Sequence, residues 1–102
     1  MESHAEVGIL DYVRLMAQFA AGNISAEEYT RAYFAFNKGR VHLPNENAKE
    51  IILRAYGDAD DYECDAILRK ENPQWIDESE LHERVSKALH ALEGLGYKAS
   101  DD

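Results

Sequence analysis

Two short stretches of this chain share one grammar, and that grammar constrains the fold more than anything else in it. In Ile24-Ser25-Ala26-Glu27-Glu28-Tyr29 a serine can cap the first free amides of a helix, and Glu28, three residues on, can reach back to the cap. Ile24 and Tyr29 stand where a hydrophobic staple needs them. Ile76-Asp77-Glu78-Ser79-Glu80-Leu81 repeats the arrangement, with Asp77 as cap, Glu80 three residues later and Ile76 against Leu81. Helices therefore begin at two defined points, and the remaining segments must pack against them.

The residues after each start carry apolar side chains at three- and four-residue steps. Leu81, Val85, Ala88, Leu89 and Leu92 form the stripe of the last helix, ended by Gly94 and Gly96; Tyr29, Ala32, Tyr33 and Phe36 form that of the second, running to about Asn37. Upstream, Ile9, Val13, Met16 and Ala20, widened by Leu10, Ala17 and Phe19, predict a first helix from Ala5 to Ala21, closed by Gly22-Asn23. Lys38 to Pro44 reads as a loop with a small basic cluster at Lys38, Arg40 and His42. Asn45 then caps a third helix with Ala48, Ile51, Ile52, Ala55 and Tyr56 inward, closed by Gly57.

Nineteen residues separate Gly57 from Asp77, too many for a structureless link in a compact domain. Ala59, Tyr62, Ala66 and Ile67 sit at helical spacing and predict a short helix from about Asp60 to Leu68, then the polar turn Lys70-Glu71-Asn72-Pro73, before Trp75 and Ile76 return to the core. No strand pattern or internal repeat competes. The expected fold class is all-α: an antiparallel four-helix bundle with a short extra helix between the third and last long helices. It forms one domain over residues 1–102, with its core at about 5–95.

Charge narrows the function. Asp and Glu number 20 against 11 Lys and Arg, a formal net charge of -9. That field repels nucleic acid and anionic lipid and attracts cationic partners. With 45% hydrophobic residues the chain can nonetheless build a core. The single Cys64 cannot form an internal disulfide, the first residues are acidic where a signal peptide is basic, and no apolar run spans a bilayer. These features lead to the expectation of a soluble cytoplasmic protein with no membrane partner.

Catalytic and metal motifs fall short. His82-Glu83-Arg84-Val85-Ser86 begins like the zinc signature H-E-x-x-H, but Ser86 stands where the second histidine must be, and His4, His42 and His90 supply no pair one helical turn apart. Cys64 lies between Glu63 and Asp65, which oppose a thiolate. Asp58 to Glu63 is no calcium loop, since Glu63 replaces the required glycine. No enzyme activity, metal or cofactor is expected.

The stretch Asp58-Ala59-Asp60-Asp61-Tyr62-Glu63-Cys64-Asp65 holds five carboxylates in eight residues and no base. If Asp58 caps a short helix, Asp60 and Asp61 fall in its first turn, where the helix dipole favours acids. Glu63 and Asp65 have no such role, and Asp61 and Asp65 stack as a like-charge i,i+4 pair. A solvated helix start and a surface that meets a cationic partner are both open on this pattern. Tyr62 serves equally as an aromatic anchor or as core, and Glu78 and Glu80 as an extension of the surface or as support for the last helix.

The two helix starts, Arg84-Val85 after the second, and the acidic connection from Asp58 to Asp65 together resemble the immunity proteins of the colicin D type, over roughly Val13 to Leu95. Related proteins occur in contact-dependent inhibition systems. The resemblance implies a four-helix bundle that binds a basic C-terminal nuclease toxin domain, one that cleaves tRNA, and blocks its active site with acids standing in for RNA phosphates. It implies a monomer in a 1:1 complex with no direct nucleic-acid contact. What carries over is the acidic region and not individual contacts; within it Asp58, Asp60, Asp61, Glu63 and Asp65 are the expected toxin-binding acids, with Tyr62 the candidate aromatic anchor and Glu78 and Glu80 candidates to extend the surface. The alternative is an acidic adaptor or nucleic-acid mimic that regulates a basic DNA- or RNA-binding protein.

Overall fold

The computed structural model describes residues 6–99. Among them are five helices and no strand: α1 Ile9–Ala20, α2 Ala26–Lys38, α3 Glu46–Asp61, α4 Ala66–Glu71 and α5 Glu78–Gly94. The all-helical expectation therefore holds. His4 and Ala5 lie outside the described residues.

The caps form as their chemistry requires. Ser25 Oγ accepts from the Glu28 amide at 3.0 Å while the Glu28 carboxylate accepts from the Ser25 amide at 2.8 Å, a complete capping box. Asn45 and Asp77 accept from the amides of Ala48 and Glu80 at 3.0 and 2.8 Å. The second box is only half made, because the Glu80 carboxylate turns instead to Arg84. At the other ends, Gly22 (φ 82°) and Gly96 (φ 102°) take the left-handed backbone that closes α1 and α5. The Asn23 amide reaches back to the Gln18 carbonyl and the Tyr97 amide to the Leu92 carbonyl.

The first helix begins at Ile9, later than the periodicity predicts. Val7 is extended instead: its amide donates to the Arg40 carbonyl at 2.7 Å and its carbonyl accepts from the His42 amide at 2.9 Å. This parallel bridge ties the chain ahead of α1 to the α2–α3 loop. Asp11 then accepts from the Gly8 amide at 2.8 Å in the first turn of α1.

Helices α1 and α3 each contact the other three long helices, while α2 and α5 each pack on both α1 and α3. The core they enclose is aromatic where α1 meets α2. Phe19 stacks on Tyr29 at 4.8 Å between ring centroids, Tyr12 lies 5.0 Å from Tyr33, and Tyr29 meets Tyr33 edge-on at 5.6 Å. Leu81, Val85 and Leu92 close it from α5. Each fully buried apolar side chain of this size contributes about 1.5–3 kcal/mol, so the stripes read from the sequence carry most of the driving force.

The connection after Gly57 departs from expectation. α3 does not stop at Gly57 but continues through it to Asp61, because Ala59 extends the buried row Ala48, Ile52, Ala55 by one more turn. No short helix spans Asp60 to Leu68. Residues 62–65 are non-helical, and α4 starts at Ala66 and ends at Glu71, so the polar turn begins at Asn72. The Ile76 amide donates to the Asp61 carbonyl at 2.9 Å, and the Glu63 amide to the Ile76 carbonyl at 3.0 Å. That pair of bonds pinches the excursion at its base. None of the residues of α4 is buried, and Ile67, expected inward, is 70% exposed.

Candidate functional site

The later end of α3 reverses the electrostatic account of the acidic stretch. Asp58, Asp60 and Asp61 lie in the last turn of a helix, where the carbonyls already concentrate negative charge, and that turn holds no basic residue. At a helix start each carboxylate would gain about 0.3–1 kcal/mol from the dipole; here the sign is unfavourable by a similar amount for each unpaired acid. The three acids thought to be explained by helix initiation are the ones the helix opposes.

Asp58 is the exception, since it is paired. Its carboxylate accepts from Arg84 Nη1 at 3.1 Å, and Arg84 Nε donates to Glu80 at 3.0 Å. Hydrogen bonds to Glu80 and then to Asp58 push the guanidinium further up from its ordinary range, so it remains charged throughout. One cation thus answers two carboxylates across the α3–α5 seam. None of the four ion pairs among the described residues includes Asp60, Asp61, Glu63, Asp65 or Glu78.

Glu63 and Asp65, for which the sequence offered no structural role, have local ones. Asp65 Oδ1 accepts from the Ile67 and Leu68 amides at 2.8 and 3.4 Å and so caps α4. The Glu63 carboxylate accepts from the Asp65 amide at 3.1 Å, and the Glu63 carbonyl takes Arg69 Nη1 at 2.6 Å. Asp61 and Asp65 do not share a helix, so the predicted i,i+4 repulsion does not arise.

Tyr62 is half-buried at the end of α3. Its hydroxyl donates to Glu27 Oε2 at 2.9 Å, and burial, followed by that hydrogen bond, raises its pKa strongly. Glu78, in the first turn of α5, adds to the negative field at the same phenol. The fold therefore gathers acids from α2 and α5 near one ring at the α3–α4 junction. Sequence reasoning missed Glu27. No local signal could have found it, because its partner lies 35 residues away.

The structure also exposes apolar side chains beside these acids. Tyr56, expected inward, is 39% exposed, and Leu53 is 55% exposed. Leu53 could have been noticed, since it falls off the row Ala48, Ile52, Ala55, Ala59. Among the described residues no three or more His, Cys, Asp or Glu converge as a metal site, and no helix is long and apolar enough to cross a membrane. His82 is half-buried with its ring 5.1 Å from that of Phe19, and Cys64 is exposed beside Glu63.

The arrangement brings together carboxylates without ion-pair partners among the described residues at the end of α3, a phenol held by Glu27, and exposed apolar groups on the same helix. A family model described as bacterial self-protective colicin-like immunity matches residues 7–92. No curated protein and no solved structure matches the chain.

Proposed function

The chain belongs to the family of bacterial self-protective colicin-like immunity proteins, and from that premise we propose that it neutralises a cognate cationic nuclease toxin, a tRNA-cleaving one, by covering the active site with its acidic surface. The observation that carries this reading is the last turn of α3, where Asp60 and Asp61 stand unpaired against the helix's own negative end. A chain of net charge -9 gains nothing from that arrangement alone. A partner bearing Lys and Arg removes the repulsion and turns it into attraction.

A ribonuclease needs such cations to hold RNA phosphates, and carboxylates at similar spacing can occupy the same subsites. Opposite fields raise association rates towards about 10⁸ M⁻¹s⁻¹ at low salt, which favours an inhibitor competing with substrate for a toxin. Glu63, Asp65 and Glu78 extend the surface, with Tyr62 as the aromatic group among them, whereas Asp58 and Glu80 take part through the Arg84 network. In this reading the four long helices form an antiparallel bundle, as the short link at residues 21–25 favours. The chain acts as a cytoplasmic monomer in a 1:1 complex, with no catalytic step and no cofactor.

This reading predicts a toxin gene beside the gene for this chain, and the test is co-expression with its product, comparing wild type with Asp60→Asn/Asp61→Asn. Asp65 is left intact because its loss would uncap α4. The double variant should keep its helical content, associate at least tenfold more slowly at low salt, and lose protection. Full protection with an unchanged salt dependence would remove the acidic end of α3 from the mechanism.

A further inference from the structure

The outward side of α3 carries a stripe that none of the described residues covers. Leu53, Tyr56, Gly57 and Asp60 fall at i, i+3, i+4 and i+7, so they share one face of the helix. All four are exposed, and two of them are large apolar side chains. Tyr56 is nevertheless braced. Its ring meets Phe34 edge-on at 5.7 Å and lies 6.3 Å from Tyr33, which limits the entropy it would lose on being covered. Shallow recesses of about 350 and 370 Å³ flank it, one apolar beside Val41 and Leu53, the other reaching Asp60.

Gly57 is the odd member. It sits inside a 16-residue helix with no left-handed backbone to require it, and a Cβ added there meets no atom within 4 Å. Glycine in a helix interior is less stable than alanine, so the folded chain gains nothing from it. What the missing side chain does provide is bare helix backbone between Leu53, Tyr56 and Asp60, open to close approach from outside.

We propose that this stripe is the central seat of the toxin: an apolar side chain of the partner descends onto the α3 backbone at Gly57, between Leu53 and Tyr56, while a Lys or Arg beside it pairs with Asp60. The proposal rests on the toxin-binding reading and locates the apolar centre of that interface. Charge identifies the occupant. Among the described residues Asp60 is unpaired, Asp61 follows it, and Lys38, which reaches the same recess, makes no ion pair. A second copy of this chain would bring the same acids to the face and be repelled, whereas a cationic nuclease surface is complementary. An apolar contact ringed by charge is the usual form of an interface centre.

The experiment measures binding of wild type, Gly57→Gln, Leu53→Gln and Asp60→Asn/Asp61→Asn to the catalytically inactivated C-terminal domain of the toxin that the toxin-binding reading predicts to be encoded beside this chain, alongside thermal unfolding of each. Gly57→Gln introduces a good helix former, so Tm should hold or rise while affinity falls tenfold or more, mainly through faster dissociation. Leu53→Gln should weaken binding in the same way and carries the test if Gly57→Gln unfolds. Wild-type affinity in both of these, with loss in the acid double variant, overturns the apolar seat at Gly57 and Leu53 and leaves the toxin-binding reading standing on its acids. No binding by wild type itself overturns both.

Discussion

Tyr29 and Tyr33 lie one turn apart in the same buried aromatic cluster, yet removing their hydroxyls should have opposite effects on stability. Both side chains are fully buried. The Tyr33 hydroxyl donates to the Ile52 carbonyl at 2.6 Å, whereas the Tyr29 hydroxyl has no hydrogen-bond partner among the described residues. An intramolecular hydrogen bond contributes about 0.5–1.5 kcal/mol net, so Tyr33→Phe should destabilise by about 1 kcal/mol. An unsatisfied buried polar group costs about 1–3 kcal/mol, so Tyr29→Phe should stabilise by about 1 kcal/mol, taking the lower end because a phenol at the seam near Asp58 can relax slightly. The ring contacts persist in both variants, since phenylalanine keeps the stacking on Phe19 and Tyr12. For a chain of this size, 1 kcal/mol corresponds to about 4–8 °C in Tm, so the two variants should separate by about 8–16 °C. Urea unfolding followed by circular dichroism checks it, with the slope m unchanged in each because the exposed area is the same. A destabilised Tyr29→Phe would refute the reasoning, showing that the hydroxyl is satisfied in solution, by water or by the Asp58 carboxylate.

The same phenols set the alkaline limit of the fold. Burial pushes Tyr12 up to about 12 and raises Tyr29 and Tyr33 further, so above pH 10 the unfolded chain ionises while the folded one does not. Stability is then fully present below pH 10 and falls by about 1.4 kcal/mol per pH unit for each of these tyrosines, which denaturant titrations from pH 9 to 11.5 will register. Asp65→Ala removes the cap of α4, a loss of about 0.5–2 kcal/mol. Because no residue of α4 is fully buried, it should appear as faster amide exchange at Ile67 and Leu68, with Tm almost unchanged.

The site was legible only in outline. Its composition could be read directly, but Asp58, Asp60 and Asp61 lie within the third long helix and not after it, and the resemblance to immunity proteins pointed to the family. The internal division of the acidic stretch came out reversed. Asp58 to Asp61 read as a helix start because Gly57 looked like a stop, yet Asp65 is the residue that starts a helix. The pairing of Tyr62 with Glu27 and of Asp58 with Arg84 had no trace in the sequence, since each joins residues far apart in the chain.

What the sequence alone determined were the features whose causes are local. Ser25, Asn45 and Asp77 cap helices because a side-chain oxygen reaches an amide three residues on, and Gly22 and Gly96 end them because only glycine takes that backbone freely. What the tertiary structure decided was how far α3 runs. A mid-helix glycine costs about 1 kcal/mol, which locally argues for a stop at Gly57. Burying Ala59 in the core, pairing Asp58 with Arg84 across the seam and closing the Ile76 bridge together outweigh it. Arg84 and Ile76 come from α5 and the segment leading into it, and together with the burial of Ala59 they carry Asp60 and Asp61 to the negative end of a helix, where the sequence by itself had no means of placing them.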